Sequence, residues 1–97
     1  MMSPDLLVVD ARDNVATALR PLEKGESLEI EVGGRTLQVT VLEPIPFGHK
    51  IALSPLEKGN EVRKYGEVIG VATRSIVRGQ HVHVHNVKGP ETRRGGV

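Results

Sequence analysis

His81, His83 and His85 alternate with Val82 and Val84 late in the sequence. On a strand that alternation turns all three imidazoles to one face and both valines to the other, which makes the valines core positions. Same-face neighbours stand about 6.5–7 Å apart, whereas nitrogens that share one metal ion must come within about 3 Å of each other. Two adjacent histidines can lean together to meet that demand, and three in a row would be strained. Such a pair can bind a divalent metal or act as a general base, and the same pattern is also that of a solvent-facing polar ladder on an edge strand. Two other places carry chemistry: His49-Lys50 after Gly48, and Lys64-Tyr65-Gly66. A carboxylate ligand needs fixed cations and hydroxyl donors, which Lys50, Lys64 and Tyr65 can supply. Alternatively the lysines are solvated and Tyr65 fills core volume. Asp13-Asn14 reads as a turn or cap rather than a ligand.

The elements that must position these residues are short strands. Eleven Gly and six Pro cut the chain into pieces of about ten residues, the rhythm of strands joined by turns, so the expected fold is all-β with short helical turns. Leu28 to Val32 and Leu37 to Val41 alternate apolar and polar residues on either side of Gly33-Gly34, a hairpin signal. Pro44 and Pro46 interrupt any regular ladder after it. Val15 to Leu19 fits a short helix capped by Asp13 or a strand. An internal repeat narrows that choice. Aligned on Gly25, Gly59 and Gly79, three segments place Ala18, Ala52 and Ala72 seven residues earlier, and Leu22, Leu56 and Ile76 three earlier. Lys24, Lys58 and Arg78 come one earlier, as surface positions, and Leu28, Val62 and Val82 come three later. Each copy reads as strand, tight turn with one inward apolar anchor, glycine at positive φ, then a new strand. The glycines are spaced 34 and 20 apart, too unequal for a solenoid, so a compact barrel-like body of bent hairpins is expected.

Ninety-seven residues make one small domain, which buries only about 60–65% of its unfolded surface and so favours a partner subunit or self-association. A net charge of +1 and two aromatic residues, Phe47 and Tyr65, argue against nucleic acid. The absence of Cys excludes disulfides and a thiol nucleophile. Leu6-Leu7-Val8-Val9 is cut short by Asp10 and Arg12, so neither a leader nor a membrane span is expected, and the default location is the cytoplasm. Lys88 to Val97 has no apolar periodicity and reads as a mobile tail or docking strap.

The strand and turn unit with its Leu/Ile-x-Lys/Arg-Gly centre resembles the SAF domain, a small β-clip fold found in antifreeze-like proteins, flagellar assembly chaperones and sugar-acid dehydratases. A longer match is narrower. Asp13-Asn14-Val15-Ala16, Pro46-x-Gly48-His49-Lys50-Ile51-Ala52-Leu53, Lys64-Tyr65-Gly66-Glu67-Val68-Ile69-Gly70 and Gly79-x-x-Val82-His83-x-His85-Asn86 follow the order seen in the N-terminal domain of altronate and galactarate dehydratases. That family carries the domain fused to a large catalytic domain or as a separate small subunit, as in two-subunit altronate dehydratases and sulfolactate sulfo-lyases. The resemblance implies a SAF-like domain over residues 1–87, a flexible tail over 88–97, and a hydro-lyase subunit that is inactive alone and completes an active site with a large catalytic subunit. Its substrate would be a sugar acid such as altronate, or a related hydroxy acid such as sulfolactate. His83 and His85 would be catalytic and metal-binding, and His49, Lys50, Lys64, Tyr65 and Asn86 would bind substrate. The implied cofactor is a divalent metal, iron or manganese, held mainly by the partner. His81 departs from the family pattern and carries no role in it. The rival reading is a non-catalytic SAF module that recognises a carbohydrate or a protein.

Overall fold

Nine short strands and no helix make up residues 3–89, the part of the chain that the computed structural model describes. They are β1 (Leu6–Leu7), β2 (Val15–Ala18), β3 (Ser27–Val32), β4 (Arg35–Thr40), β5 (Lys50–Ala52), β6 (Glu61–Lys64), β7 (Glu67–Ala72), β8 (His81–Val82) and β9 (Val87–Lys88). All pairings are antiparallel, in a central sheet ordered β1-β2-β5-β8, a β3-β4 hairpin and a β6-β7-β9 sheet. The fold is therefore all-β. The hairpin expected at Gly33-Gly34 is present, with Val32 opposite Arg35 and positive φ at both glycines. Val15–Ala18 is a strand, because its pairing with β1 and β5 supplies hydrogen bonds that an isolated helical turn lacks.

The repeat is a duplication of four turns rather than three. The Gly25 N–H donates to the Val41 carbonyl and the Val41 N–H to that of Glu26, while the Gly59 N–H donates to Ala72 and the Ala72 N–H to Asn60. The same correspondence links Gly48, Ala18 and His49 with Gly79, Ala52 and Gln80. The fourth turn, Ile45 to Gly48, keeps the anchor spacing, with Ile45 bridged to Leu22 as Ile76 is to Leu56. It has Phe47 where the others carry Lys or Arg, so an alignment on the basic residue passes over it.

Each half has its own core. One contains Leu6, Ala16, Leu22, Ile30, Val39 and Ile51 among others, and the second contains Val15, Ala52, Leu56, Val62, Ile76 and Val82. Val15 and Ala16 on β2, and Ile51 and Ala52 on β5, fall in opposite cores because successive strand residues point to opposite faces. The central sheet thus separates two small aliphatic cores. Gly79 locks the second half to the first: its carbonyl accepts the Leu42 N–H, and at φ +94° a Cβ there would run into the Thr40 carbonyl oxygen. Gly79→Ala is expected to destabilise the domain by about 2–4 kcal/mol, against about 1 kcal/mol at Gly59, which has the same φ but open space around it. Denaturant midpoints of the two variants check this. Equal losses would mean that backbone conformation alone matters.

Two expectations need correcting. The histidine strand ends at Val82, because residues 83–86 form a turn in which the Asn86 and Val87 N–H groups donate to the His83 carbonyl. Val84 consequently leaves the core and is 82% exposed, although Val82 is fully buried. β9 pairs Val87 and Lys88 with Ala72 and Val71, so the domain boundary expected at residue 87 falls within a strand. Of the expected tail, residues 90–97 lie outside the described residues.

Candidate functional site

At three of the four turns the residue after the glycine caps its own turn. The Glu26 carboxylate accepts the Glu23 N–H at 2.7 Å, the Asn60 amide oxygen accepts that of Glu57, and the Gln80 amide oxygen accepts that of Val77, both at 2.8 Å. At the fourth turn the residue to be capped is Pro46, which has no N–H. His49 is thereby released from capping, and its Nδ1 lies 2.9 Å from His81 Nε2. Sequence spacing alone does not bring His49 and His81 together. The pairing of β5 with β8, which sets Ile51 opposite His81 and Lys50 opposite Val82, does.

Four imidazoles gather at this edge. The His49 ring stacks on His83 with centroids 4.0 Å apart and on His81 at 5.1 Å, while His85 lies 5.0 Å from His81 in a tilted arrangement. One nitrogen from each of His49, His81 and His83 lies within 4.8 Å of the other two, and all three side chains are half-buried. His83 Nδ1 is buried and has no hydrogen-bond partner among the described residues. Burial lowers the pKa of His81, as do the imidazoles of His85, His49 and His83, against an opposing pull from Glu43. Burial also lowers that of His83, helped by His49, Lys50 and His85. Both therefore favour the neutral form, with a lone pair available to a proton or a metal.

The sequence-predicted residues separate into groups. His83 and Lys50 line one cleft of about 220 Å³ with Ile69, Val84, Val87 and Gly89. Burial lowers the pKa of Lys50, and Lys64, the neighbouring like charge, adds to the shift. The Lys64 ammonium stands 4.8 Å from the Tyr65 ring centroid, and Tyr65 is exposed and outside both cores. Asn86 is buried, and both ends of its amide are engaged: Oδ1 accepts the His83 N–H at 2.9 Å and Nδ2 donates to the His81 carbonyl at 2.8 Å. It shapes the turn that presents His83 and His85. His85 is exposed on that turn and stands outside the three-nitrogen group. Glu43, which the sequence did not single out, accepts the His81 N–H at 2.9 Å and fixes the start of β8.

Asp13 organises the loop that carries Tyr65. Its buried carboxylate accepts the N–H groups of Tyr65 and Gly66 at 2.9 and 2.8 Å, and those of Asp10 and Val9 at 3.2 and 3.4 Å. Tyr65 is the one described non-glycine residue at positive φ, 57°, and the carboxylate stabilises the tight turn that this requires. Asn14 ties the same loop to β6 through the Arg63 N–H and the Glu61 carbonyl. A separate cleft of about 440 Å³ is flanked by Arg35 and Arg78 and is lined by none of the histidines. No helix among the described residues is long and apolar enough to cross a membrane.

The chain is similar in sequence to a sulfo-lyase subunit and to two dehydratases. The chain is 43% identical over 90 residues to the (2R)-sulfolactate sulfo-lyase subunit alpha of Chromohalobacter salexigens, a match covering 90% of this chain and 96% of that one. It is 44% identical over 80 residues to the altronate dehydratase of Escherichia coli and 40% identical over 80 residues to that of Bacillus subtilis. Those two matches cover 82% of this chain and 15% of each dehydratase. The model of the altronate/galactarate dehydratase SAF domain matches residues 4–90, a span that takes in both cores, all nine strands and the histidine edge. By that match, over nearly its whole length, the chain belongs to the altronate/galactarate dehydratase SAF-domain family.

Proposed function

We propose that this chain is the small subunit of a lyase and completes, with a larger catalytic chain, a site that eliminates water or sulfite from a small hydroxy acid. The observation that carries the reading is the pattern of coverage: the same 80–90 residues match almost all of a sulfo-lyase alpha subunit and a 15% portion of two dehydratases. A sugar acid such as altronate, losing water, is the leading substrate class. The near-complete match to an alpha subunit favours sulfolactate, losing sulfite, as the second reading.

Both reactions have one chemical logic. A proton leaves the carbon beside the carboxylate, its electron pair becomes a carbon–carbon double bond, and the leaving group departs from the next carbon with its bonding pair. The enol product then ketonises to a 2-keto acid. Lys50 and Lys64 bind the carboxylate, whose charge offsets their mutual repulsion, and Tyr65 adds a hydroxyl donor. Neutral His83 and exposed His85 supply the groups for proton transfer, with His49 beside them. Departing hydroxide takes up a proton to leave as water, whereas sulfite leaves as the anion. A divalent metal, iron or manganese, held mainly by the partner, would stabilise the charge that builds on the carboxylate. The three-histidine group contains no carboxylate, in keeping with a metal cage completed elsewhere.

Exposed Phe47, Tyr65 and Val84 adjoin His49, Lys64 and His83 in sequence and offer apolar surface to a partner at the site's rim. A cytoplasmic location belongs to the same proposal. Affinity purification from the native host is expected to recover a chain several times the mass of this one. Recovery of this chain alone would favour the rival reading of a carbohydrate- or protein-binding module.

A further inference from the structure

We propose that His49, His81 and His83 form a divalent metal site within this chain, selective for first-row transition ions over magnesium and calcium. The inference concerns the chain by itself and does not depend on the lyase reading. Three observations support it. The ligand nitrogens of these residues already lie within 4.8 Å of one another. His49 Nδ1 and His81 Nε2 are 2.9 Å apart, close to the separation of about 3 Å that two nitrogens adopt on a shared ion. His83 Nδ1 is buried with no partner among the described residues, a cost that a metal or a proton donor would remove.

His49 and His83 are stacked at 4.0 Å, so they must turn about their side-chain bonds for their lone pairs to converge. Half-buried imidazoles outside both cores have the room to do so. The scaffold around them is fixed. Pro46 frees His49 from capping, Glu43 anchors the His81 backbone, and Asn86 anchors that of His83. The donor set decides the metal class: imidazoles without carboxylate oxygens suit first-row transition ions such as iron, cobalt, nickel and zinc, and not magnesium or calcium. Three ligands leave a coordination position open, with His85 next to His81 beside it. Metal binding by His83 would leave His85 as the free imidazole of the catalytic pair.

The test is titration of the untagged 97-residue chain with cobalt(II), followed by visible absorption and calorimetry, with magnesium as the control ion. One cobalt per chain, with d–d bands of a nitrogen-ligated ion and no response to magnesium, is the expected result. His81→Ala and His81→Gln should each weaken binding by about tenfold or more, with circular dichroism unchanged, while His85→Ala leaves it unaltered. The glutamine variant retains the bulk of the side chain and guards against a folding defect in the alanine variant. No saturable cobalt binding, or equal affinity in folded His81→Gln, would overturn the site. Neither result would bear on the recovery of a large partner.

Discussion

Replacing Asp13 by alanine is expected to destabilise the domain by about 3–5 kcal/mol, a large part of the stability available to a chain of this size. The carboxylate is 7% exposed and serves four backbone N–H groups from two loops that are about fifty residues apart in sequence. Alanine leaves all four without an acceptor and removes the charge that offsets positive φ at Tyr65. Asp13→Asn keeps the shape and one acceptor oxygen but turns an NH₂ group toward N–H donors, so it should lie between the two. Thermal unfolding reads the effect, with a fall of more than about 12 °C expected for alanine. A fall of less than about 2 °C would show that water replaces the carboxylate without loss.

His83→Ala should lower turnover of the assembled enzyme by about 10²-fold or more, the scale for losing either a proton-transfer group or a metal ligand. Its imidazole lies outside both cores, so circular dichroism and melting temperature should change little. Loss of stability in proportion to loss of activity would return the residue to a structural role. His85→Ala should act on turnover in the same way and even less on folding, since that side chain is exposed. Lys50→Ala should instead raise KM more than it lowers kcat, because an ammonium that binds the carboxylate does so before and during the reaction.

The parts of the fold legible in the sequence are those that depend on near neighbours. The β3-β4 hairpin follows from period-two alternation around Gly33-Gly34, and the turn anchors Leu22, Leu56 and Ile76 follow from a fixed offset to glycine. The fourth turn shares that offset but not the basic residue, and it carries His49. The histidine edge was only partly legible. Alternation through residues 81–85 implies a continuous strand, whereas the Asn86 side chain ends it by bonding the backbone on both sides of Val82. The contact of His49 with His81 depends on strand pairing between residues 32 apart, which no local pattern encodes. A reader of the sequence could have found the signal in Pro46, the one residue at its turn position that needs no cap.

The proposed lyase has two parts, of which this chain is one. The direct measurement is elimination from altronate and from sulfolactate, followed as 2-keto acid formed, with this chain, the large chain and their mixture assayed separately under the same divalent metal. The expected result is negligible turnover by either chain alone, robust turnover of at least one substrate by the mixture, and loss of that turnover when His83→Ala replaces the native chain. Full activity of the large chain without this one, or turnover by this chain alone, would contradict it.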